Sequence, residues 1–371
     1  MADLNIRRTI CAAAALALSS GCALAASFSS SAVGTSGAAF LEIPTSARIE
    51  AMGEASAATS RGAEAIFLNP AGLATLSSAS SVSEPKKESP SDSFAGMMPG
   101  QGGWGGLSES TPAGASSSAS APSAPPAPSP RSEMSLDYSS LLQTTYAGAG
   151  SYAYSLGSAG VVAAGFLYFS QAPQTAYDAL GNSQGSFTPY DLAFALGYAG
   201  IIQGVRVGGD VKLIQSQIIS GTSGQTEAVD IGAEVPNVGD VGQGAVDMGG
   251  SITNLGPGLK LGTQASSLPT DVRGGFFWHA YPFLGFAMDV NFPENQDPYV
   301  NLGAEWTYAQ PSWTAALRVG YDQSAGRQSL GGFAGAAAGA GLSWKSFSVD
   351  YAWAPFSDLG MTDRVSLTFR F

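Results

Sequence analysis

Leu284-Gly285-Phe286-Ala287-Met288-Asp289-Val290-Asn291-Phe292 sets a large apolar residue at every second position. A period of two is that of a β-strand, whose successive side chains point to opposite faces. Leu284, Phe286, Met288, Val290 and Phe292 share one face, and Gly285, Ala287, Asp289 and Asn291 the other. The pattern recurs on both sides of this stretch. Upstream, Tyr190-Asp191-Leu192-Ala193-Phe194-Ala195-Leu196-Gly197-Tyr198 alternates large apolar with small or acidic residues. Downstream, Phe347, Val349, Tyr351 and Trp353 stand against Ser346, Ser348, Asp350 and Ala352. At the end of the chain, Val365, Leu367, Phe369 and Phe371 stand against Arg364, Ser366, Thr368 and Arg370.

A soluble sandwich alternates as well, so two further features decide the reading. The apolar faces are rich in aromatics, and Trp278, Tyr281, Trp306, Tyr308, Trp344 and Trp353 fall towards segment ends. Girdles of aromatic side chains lie there in membrane barrels. The opposite faces carry Asp, Arg, Asn, Ser and Gly, which suits a wet lumen. Asp210, Asp289, Glu305, Arg318 and Asp350 are the lumen-facing polar residues expected from this alternation.

Composition agrees. Lys and Arg number 16 and Asp and Glu 28, so charged residues make up 12% of 371, about half the share in an ordinary soluble domain. Hydrophobic residues reach 44%, yet no Leu/Ile/Val/Phe-rich run reads as a membrane-spanning helix. One His and two Cys exclude a disulfide scaffold and a Cys/His metal centre. A net charge of -12 excludes a nucleic-acid binder. These observations predict an all-β protein, a transmembrane antiparallel β-barrel. Strands are expected near 134–144, 146–156, 160–171, 187–199, 203–217, 225–235, 244–254, 270–280, 283–293, 298–308, 312–322, 336–345, 346–354 and 363–371. That makes about fourteen, an even number that puts both barrel ends on one side of the membrane. Such a barrel is wider than the eight-stranded type that side chains alone can fill.

Four regions follow from the chain's grain. Residues 1–25 read as a secretory signal peptide: Arg7 and Arg8, an apolar stretch from Thr9 to Leu18, then Ala23-Leu24-Ala25 as a small-x-small cleavage site. A lipoprotein signal ending at Gly21-Cys22 is the competing reading, and Ser19 stands where that signal wants a large aliphatic residue. Either way the chain is exported. Residues 26–76 precede the barrel and are the expected plug. Residues 77–132 form a Ser/Pro/Ala/Gly-rich insertion, as in Ala124-Pro125-Pro126-Ala127-Pro128, expected to be disordered rather than a partner-binding tail. Residues 133–371 carry the barrel.

Several blocks resemble the PorV/PorQ family of bacterial outer-membrane proteins, within the wider FadL-like group. They are Gly34-Thr35-Ser36-Gly37-Ala38-Ala39-Phe40-Leu41, Ser46 to Ala55, and Ala65 to Ala74 with its Asn69-Pro70-Ala71-Gly72-Leu73 core. Tyr190-Asp191-Leu192-Ala193, Ile252-Thr253-Asn254-Leu255-Gly256-Pro257 and Asp350 to Gly360 also fit. The resemblance implies an outer-membrane barrel with an N-terminal plug, inserted by the barrel-assembly machinery into outer-membrane lipid. It implies protein secretion or surface attachment, with secretion-system subunits or secreted cargo as partners. The alternative it implies is a FadL-like channel for small hydrophobic molecules. No cofactor is implied.

Candidate residues carry plain structural readings beside the functional ones. Arg48 sits in a small, apolar block and needs an inward carboxylate such as Asp210, Asp289, Glu305 or Asp350; an ion pair locking the plug is the preferred reading. Asn69 and Pro70 are turn formers and Gly72 allows close backbone approach. They pack the plug on the wall or, in the sharper reading, form a hatch on a ligand path. His279, between Trp278 and Tyr281, reads as an interface residue. No nucleophile with a base and no placed carboxylate pair emerges, so no catalytic residue and no metal ligand is assigned. Phe371 ends an alternating strand, which fits both a closing strand and an assembly signal. Deleting Phe371 should lower the fraction of barrel inserted into the outer membrane, measured by membrane fractionation; unchanged insertion would leave only the closing-strand role.

Overall fold

The last strand pairs with the first. Met361–Arg370 runs antiparallel to Ser132–Ser140, with Leu136 opposite Leu367 and Tyr138 opposite Val365. In this computed structural model, which describes residues 36–77, 132–219, 222–324, 333–356 and 360–371, that pairing closes a barrel. In chain order the strands are β1 (Ser132–Ser140), β2 (Thr145–Ser155), β3 (Val161–Gln171), β4 (Gln174–Tyr177), β5 (Ser183–Phe187) and β6 (Tyr190–Ile202). Next come β7 (Val205–Ile219), β8 (Thr222–Val241), β9 (Gly244–Leu255), β10 (Leu259–Leu261), β11 (Gln264–Ser266) and β12 (Asp271–Tyr281). The last are β13 (Leu284–Pro293), β14 (Tyr299–Ala309), β15 (Trp313–Asp322), β16 (Ala336–Trp344), β17 (Phe347–Pro355) and β18 (Met361–Arg370). Fourteen of these form the barrel, each antiparallel to its neighbours; β4–β5 and β10–β11 are small hairpins in the connections. Closure leaves no free strand edge.

The two ends differ. Connections at one end are tight: residues 203–204, 242–243, 282–283 and 345–346 join their strands directly. The chain end at Phe371 lies at this turn end, where Phe371 and Ser132 exchange backbone hydrogen bonds of 2.9 and 3.2 Å. The opposite, loop end carries the long connections 172–189 and 256–270, which hold the two hairpins.

Faces follow the alternation. Outward aromatics form two rings: Tyr281, Trp306, Tyr308, Trp313 and Trp344 near the turn end, and Tyr138, Tyr146, Tyr168, Tyr321 and Trp353 near the loop end. Between them the exposed surface is Leu, Val, Ile and Phe, including Phe194, Leu213, Leu302 and Leu317. Such a belt suits a bilayer. His279 departs from expectation. It faces inward and pairs with Asp247 (Nε2 to Oδ2, 3.0 Å), with its ring edge-on to Phe277. The interface position next to it belongs to Trp278, which stacks on Phe286.

Three boundaries differ from the sequence pattern for local reasons. The first strand stops at Ser140, because Thr144 takes a left-handed φ of 61° in a turn over 142–144. β8 runs on to Val241, beyond the expected end near 235. The ladder with β9 skips from Val235 to Gly239, and Asn237, at φ 51°, donates its N–H to Asp247 (2.8 Å). A proline without a donor is accommodated by such a bulge. The hairpins β4–β5 and β10–β11 had no sequence counterpart. The expected signal peptide at 1–25, its Cys11 and Cys22, and nearly all of the 77–132 insertion lie outside the described residues.

Residues 36–77 lie inside the barrel. They form 3-10 turns at Ala39–Glu42, Ala63–Phe67 and Pro70–Leu76 and one short helix, α1 (Ala47–Ala51). Ser46 caps α1, its hydroxyl accepting from Ile49 N. The segment is built of small residues: Ala47, Ala51, Ala55, Ala57, Ala63, Ala65, Ala71 and Ala74 are fully buried. The wall answers with glycine. At Gly208, Gly232, Gly249, Gly303 and Gly320 a Cβ would collide with plug atoms. Towards β2, β3 and β6 the contact is apolar, with Ile66, Leu73 and Ala74 packed on Ala153, Val161, Ala163, Ala195 and Ala199. The long loop covers the other end, where Leu259 and Leu268 pack on Phe40.

Gly249→Val should expel the plug and spare the wall, since the new side chain meets the rigid Ala57–Ala58 backbone. The variant barrel should keep its heat-modifiable mobility on gels while residues 36–77 become open to protease. A plug that stays protected would show that the wall yields instead.

Candidate functional site

The lumen is a polar lock built around the plug. Arg48 Nε reaches Glu305 Oε2 at 3.1 Å, and Arg318 Nε reaches the same oxygen at 2.7 Å. Arg318 Nη1 continues to Asp350 Oδ1 at 2.6 Å. Arg48 Nη1 also donates to the Thr59 carbonyl (2.8 Å), tying the helix to the next turn of the plug. Beside this chain, Glu50 takes Arg364 Nε at 2.5 Å and the Thr362 hydroxyl at 3.2 Å. Ala47 N donates to Ser366 Oγ (2.7 Å).

Asp289 works on backbone. One of its oxygens accepts from Ser56 N and Ala57 N, both at 2.7 Å. Arg273 holds the same turn through Ser56 Oγ and the Glu54 carbonyl. Asn301 donates to the Gly53 carbonyl, and Glu133 accepts from Ala63 N (2.8 Å). Two plug carboxyls sit in poor company for a charge. Burial, with Asp137 nearby, pushes Glu64 up to about 8. Burial and then Asp322 hold Glu54 well above the usual carboxylate range.

The expected site residues fall into place unevenly. Arg48, Glu305, Arg318 and Asp350 form one network, and Asp289 binds the plug. Asp210 does not meet Arg48. It lies across from Asp230, buried, with neither oxygen hydrogen-bonded among the described residues. The nearby Lys212 is committed to Asp230 at 2.5 Å. Asn69 caps the turn Pro70–Leu76 through Ala71 N and donates to the Ala57 carbonyl (2.7 Å). Gly72 presses against Ser60 O, where no Cβ fits. The Asn-Pro-Ala-Gly-Leu block therefore braces the plug. Phe371 closes the barrel on Ser132. Glu50, Arg273, Asn301 and Arg364 were missed as partners of the plug. The wall members among them all sit on the polar face of an alternating strand, the signal that could have found them.

Between plug and wall, at the loop end, lies a cavity of about 180 Å³. Leu41, Ile43, Ile49, Phe67 and Leu68 of the plug give it an apolar side. Glu54, Arg273, Tyr299 and Asp322 give it a polar one. Among the described residues, no group of three or more His, Cys, Asp or Glu side chains could hold a metal ion.

No protein-family model and no curated protein sequence matches the chain. Solved structures do. The Pseudomonas putida toluene transporter TodX superposes with a TM-score of 0.50 at 10% identity, covering 88% of this chain and 96% of its own. The Ralstonia pickettii toluene transporter TbuX gives a TM-score of 0.48 at 12% identity, over 87% and 97% of the two chains. The protein is thus a plugged, closed antiparallel barrel of fourteen strands, with the fold of TodX. The likeness to TodX is one of fold.

Glu305→Ala should leave Arg48 and Arg318 without their shared carboxylate and cost about 3–5 kcal/mol. The check is urea unfolding in detergent. The double variant Glu305→Ala with Arg48→Met should recover part of the loss; additive losses would mean that the pair is not coupled.

Proposed function

We propose that the protein is an outer-membrane channel of the FadL-like kind, exported by the Sec route, that admits small, partly apolar molecules from the cell exterior. The observation that carries this reading is the cavity at the loop end, whose apolar side is the plug itself. The tight-turn end faces the periplasm in barrels of this class and the long loops face outward, so the cavity meets incoming molecules first. A plug that forms one wall of the binding site is coupled to occupancy, because a ligand touches the element that must shift. TodX, whose fold this chain shares, is a toluene transporter, and that supports the reading.

A second reading, the PorV/PorQ role in protein secretion or surface attachment, draws on a different observation. The plug is fixed by ion pairs and hydrogen bonds to β1, β12, β13, β14 and β18, and the β4–β5 hairpin at the loop end exposes Tyr177 and Leu180. That reading makes the barrel a rigid mount for protein partners.

Uptake by proteoliposomes separates the two. Wild-type barrel should carry small amphiphiles across the membrane, and Leu41→Trp, which fills the cavity, should slow uptake at least about tenfold, a loss of 1.4 kcal/mol in effective affinity. The variant's heat-modifiable gel mobility checks that it folds. No uptake by the wild type, together with secreted proteins retained on the purified barrel, would put the partner-binding role in its place.

A further inference from the structure

We infer that the loop-end cavity takes a small neutral molecule that carries a hydroxyl group on an apolar body, an alcohol or a phenol. This rests on reading the barrel as a small-molecule channel.

Charges around the cavity already have partners. Arg273 Nη2 pairs with Asp271 (3.3 Å), and Asp271 also accepts from Phe292 N (3.1 Å). Arg273 Nη1 donates to Ser56 Oγ and to the Glu54 carbonyl. Glu42 accepts from Asn295 Nδ2 at 3.0 Å. An ionic ligand would find these partners taken, and would shed its water without a matching gain.

Two polar groups of the lining are left over. Glu54 and Tyr299 both line the cavity, and among the described residues neither the Glu54 carboxyl nor the Tyr299 hydroxyl makes a hydrogen bond. Tyr299 is only 8% exposed. Buried polar groups are nearly always paired. A pair left without partners at a cavity wall is open to the hydrogen bonds of a ligand.

Glu54 is mounted with care. It stands at φ 66°, directly after Gly53 at φ 64°, in a left-handed conformation rare outside glycine. The wall holds both carbonyls of this turn, Gly53's through Asn301 and Glu54's through Arg273. Glu54 N donates to the Ile49 carbonyl (2.9 Å). The fold therefore ties down both backbone polar groups of Glu54 and leaves its carboxyl unused. Backbone held in a rare conformation clusters at binding sites.

The chemistry of the two groups selects the ligand. Burial and then Asp322 hold Glu54 above the usual carboxylate range, which favours the protonated acid. A protonated carboxyl sets an O–H donor beside a carbonyl acceptor, and a tyrosine hydroxyl both donates and accepts. A hydroxyl on the ligand, itself donor and acceptor, satisfies both. A hydrocarbon would leave both desolvated and unpaired. The body faces Phe67, Leu41, Ile49 and Leu68. A volume of about 180 Å³ suits one ring with a short arm, since an apolar void of about 150 Å³ admits benzene.

The test uses four probes of one size: phenethyl alcohol, ethylbenzene, phenethylammonium and phenylacetate. Binding to the full-length barrel in a neutral detergent is measured by calorimetry against empty micelles, with uptake by proteoliposomes in parallel. Phenethyl alcohol should bind at least about tenfold more tightly than each of the others. Glu54→Leu and Tyr299→Phe should each remove most of its advantage over ethylbenzene. Glu54→Gln, whose amide also sets a donor beside an acceptor, should recover most of what Glu54→Leu loses. Should a variant misfold, the four-probe comparison on the wild type still decides. Equal or tighter binding of ethylbenzene or of either ion, with uptake intact, would overturn the hydroxyl assignment and leave the channel standing. So would an advantage of the alcohol that survives both Glu54→Leu and Tyr299→Phe. If none of the four binds and none is taken up, the channel reading falls with it.

Discussion

A closed barrel of fourteen strands is too wide for its own side chains to fill, and everything inside this protein answers that constraint. Residues 36–77 fill the space. They can do so because nearly half of them are alanine, serine or glycine, and because the wall opposite carries glycine where the plug backbone touches it. A Cβ at those wall positions would push the two apart. The 48 glycines of the chain, odd in a protein with so much strand, have part of their explanation here.

The seat has two halves of different chemistry. Towards β2, β3 and β6 the plug rests on alanine and valine, where burial and close packing hold it without direction. Towards β12 to β18 it is held by Asp289, Asn301, Glu305 and Arg364, whose partners and angles are specific. The apolar half supplies attraction and the polar half supplies register. A plug turned by one residue would part Arg48 from Glu305 and Glu50 from Arg364, breaking buried ion pairs at a cost far above that of lost contact area. The loop-end cavity sits where the halves meet, so it has apolar residues of the plug on one side and carboxylates on the other.

The barrel was legible in the sequence because strand sterics impose a period of two wherever one face meets lipid and the other a lumen. Leu284 to Phe292 shows both faces in nine residues, and Asp289 and Asn291 are indeed buried inside while Phe286 is exposed. Misreadings came where a local signal was overruled by the ladder. The strand expected to end near 235 continues, because β8 absorbs Pro236 and Asn237 as a bulge and pairs on. His279 sits between two aromatics of the membrane surface but points the other way, as its odd place in the alternation requires. Arg48 was recognisable as a charge in need of a carboxylate. Choosing Glu305 over Asp210 needs the plug's seat, which depends on contacts some hundreds of residues apart. The cavity was beyond reach for the same reason: its walls come from segments between Leu41 and Ser324 that nothing in the local pattern joins.

The plug comes before the barrel in the chain and is finished by its last strand. Ala47 waits for Ser366 and Glu50 for Arg364, contacts separated by 319 and 314 residues. β18 also supplies the partner for β1, so the same ten residues seal the wall and complete the lock. Loop-closure entropy for all these contacts is therefore met at one moment, late in folding. Assembly becomes a single cooperative event: a barrel that has not closed has no properly seated plug, and an unplugged pore is never an obligatory stage on the way.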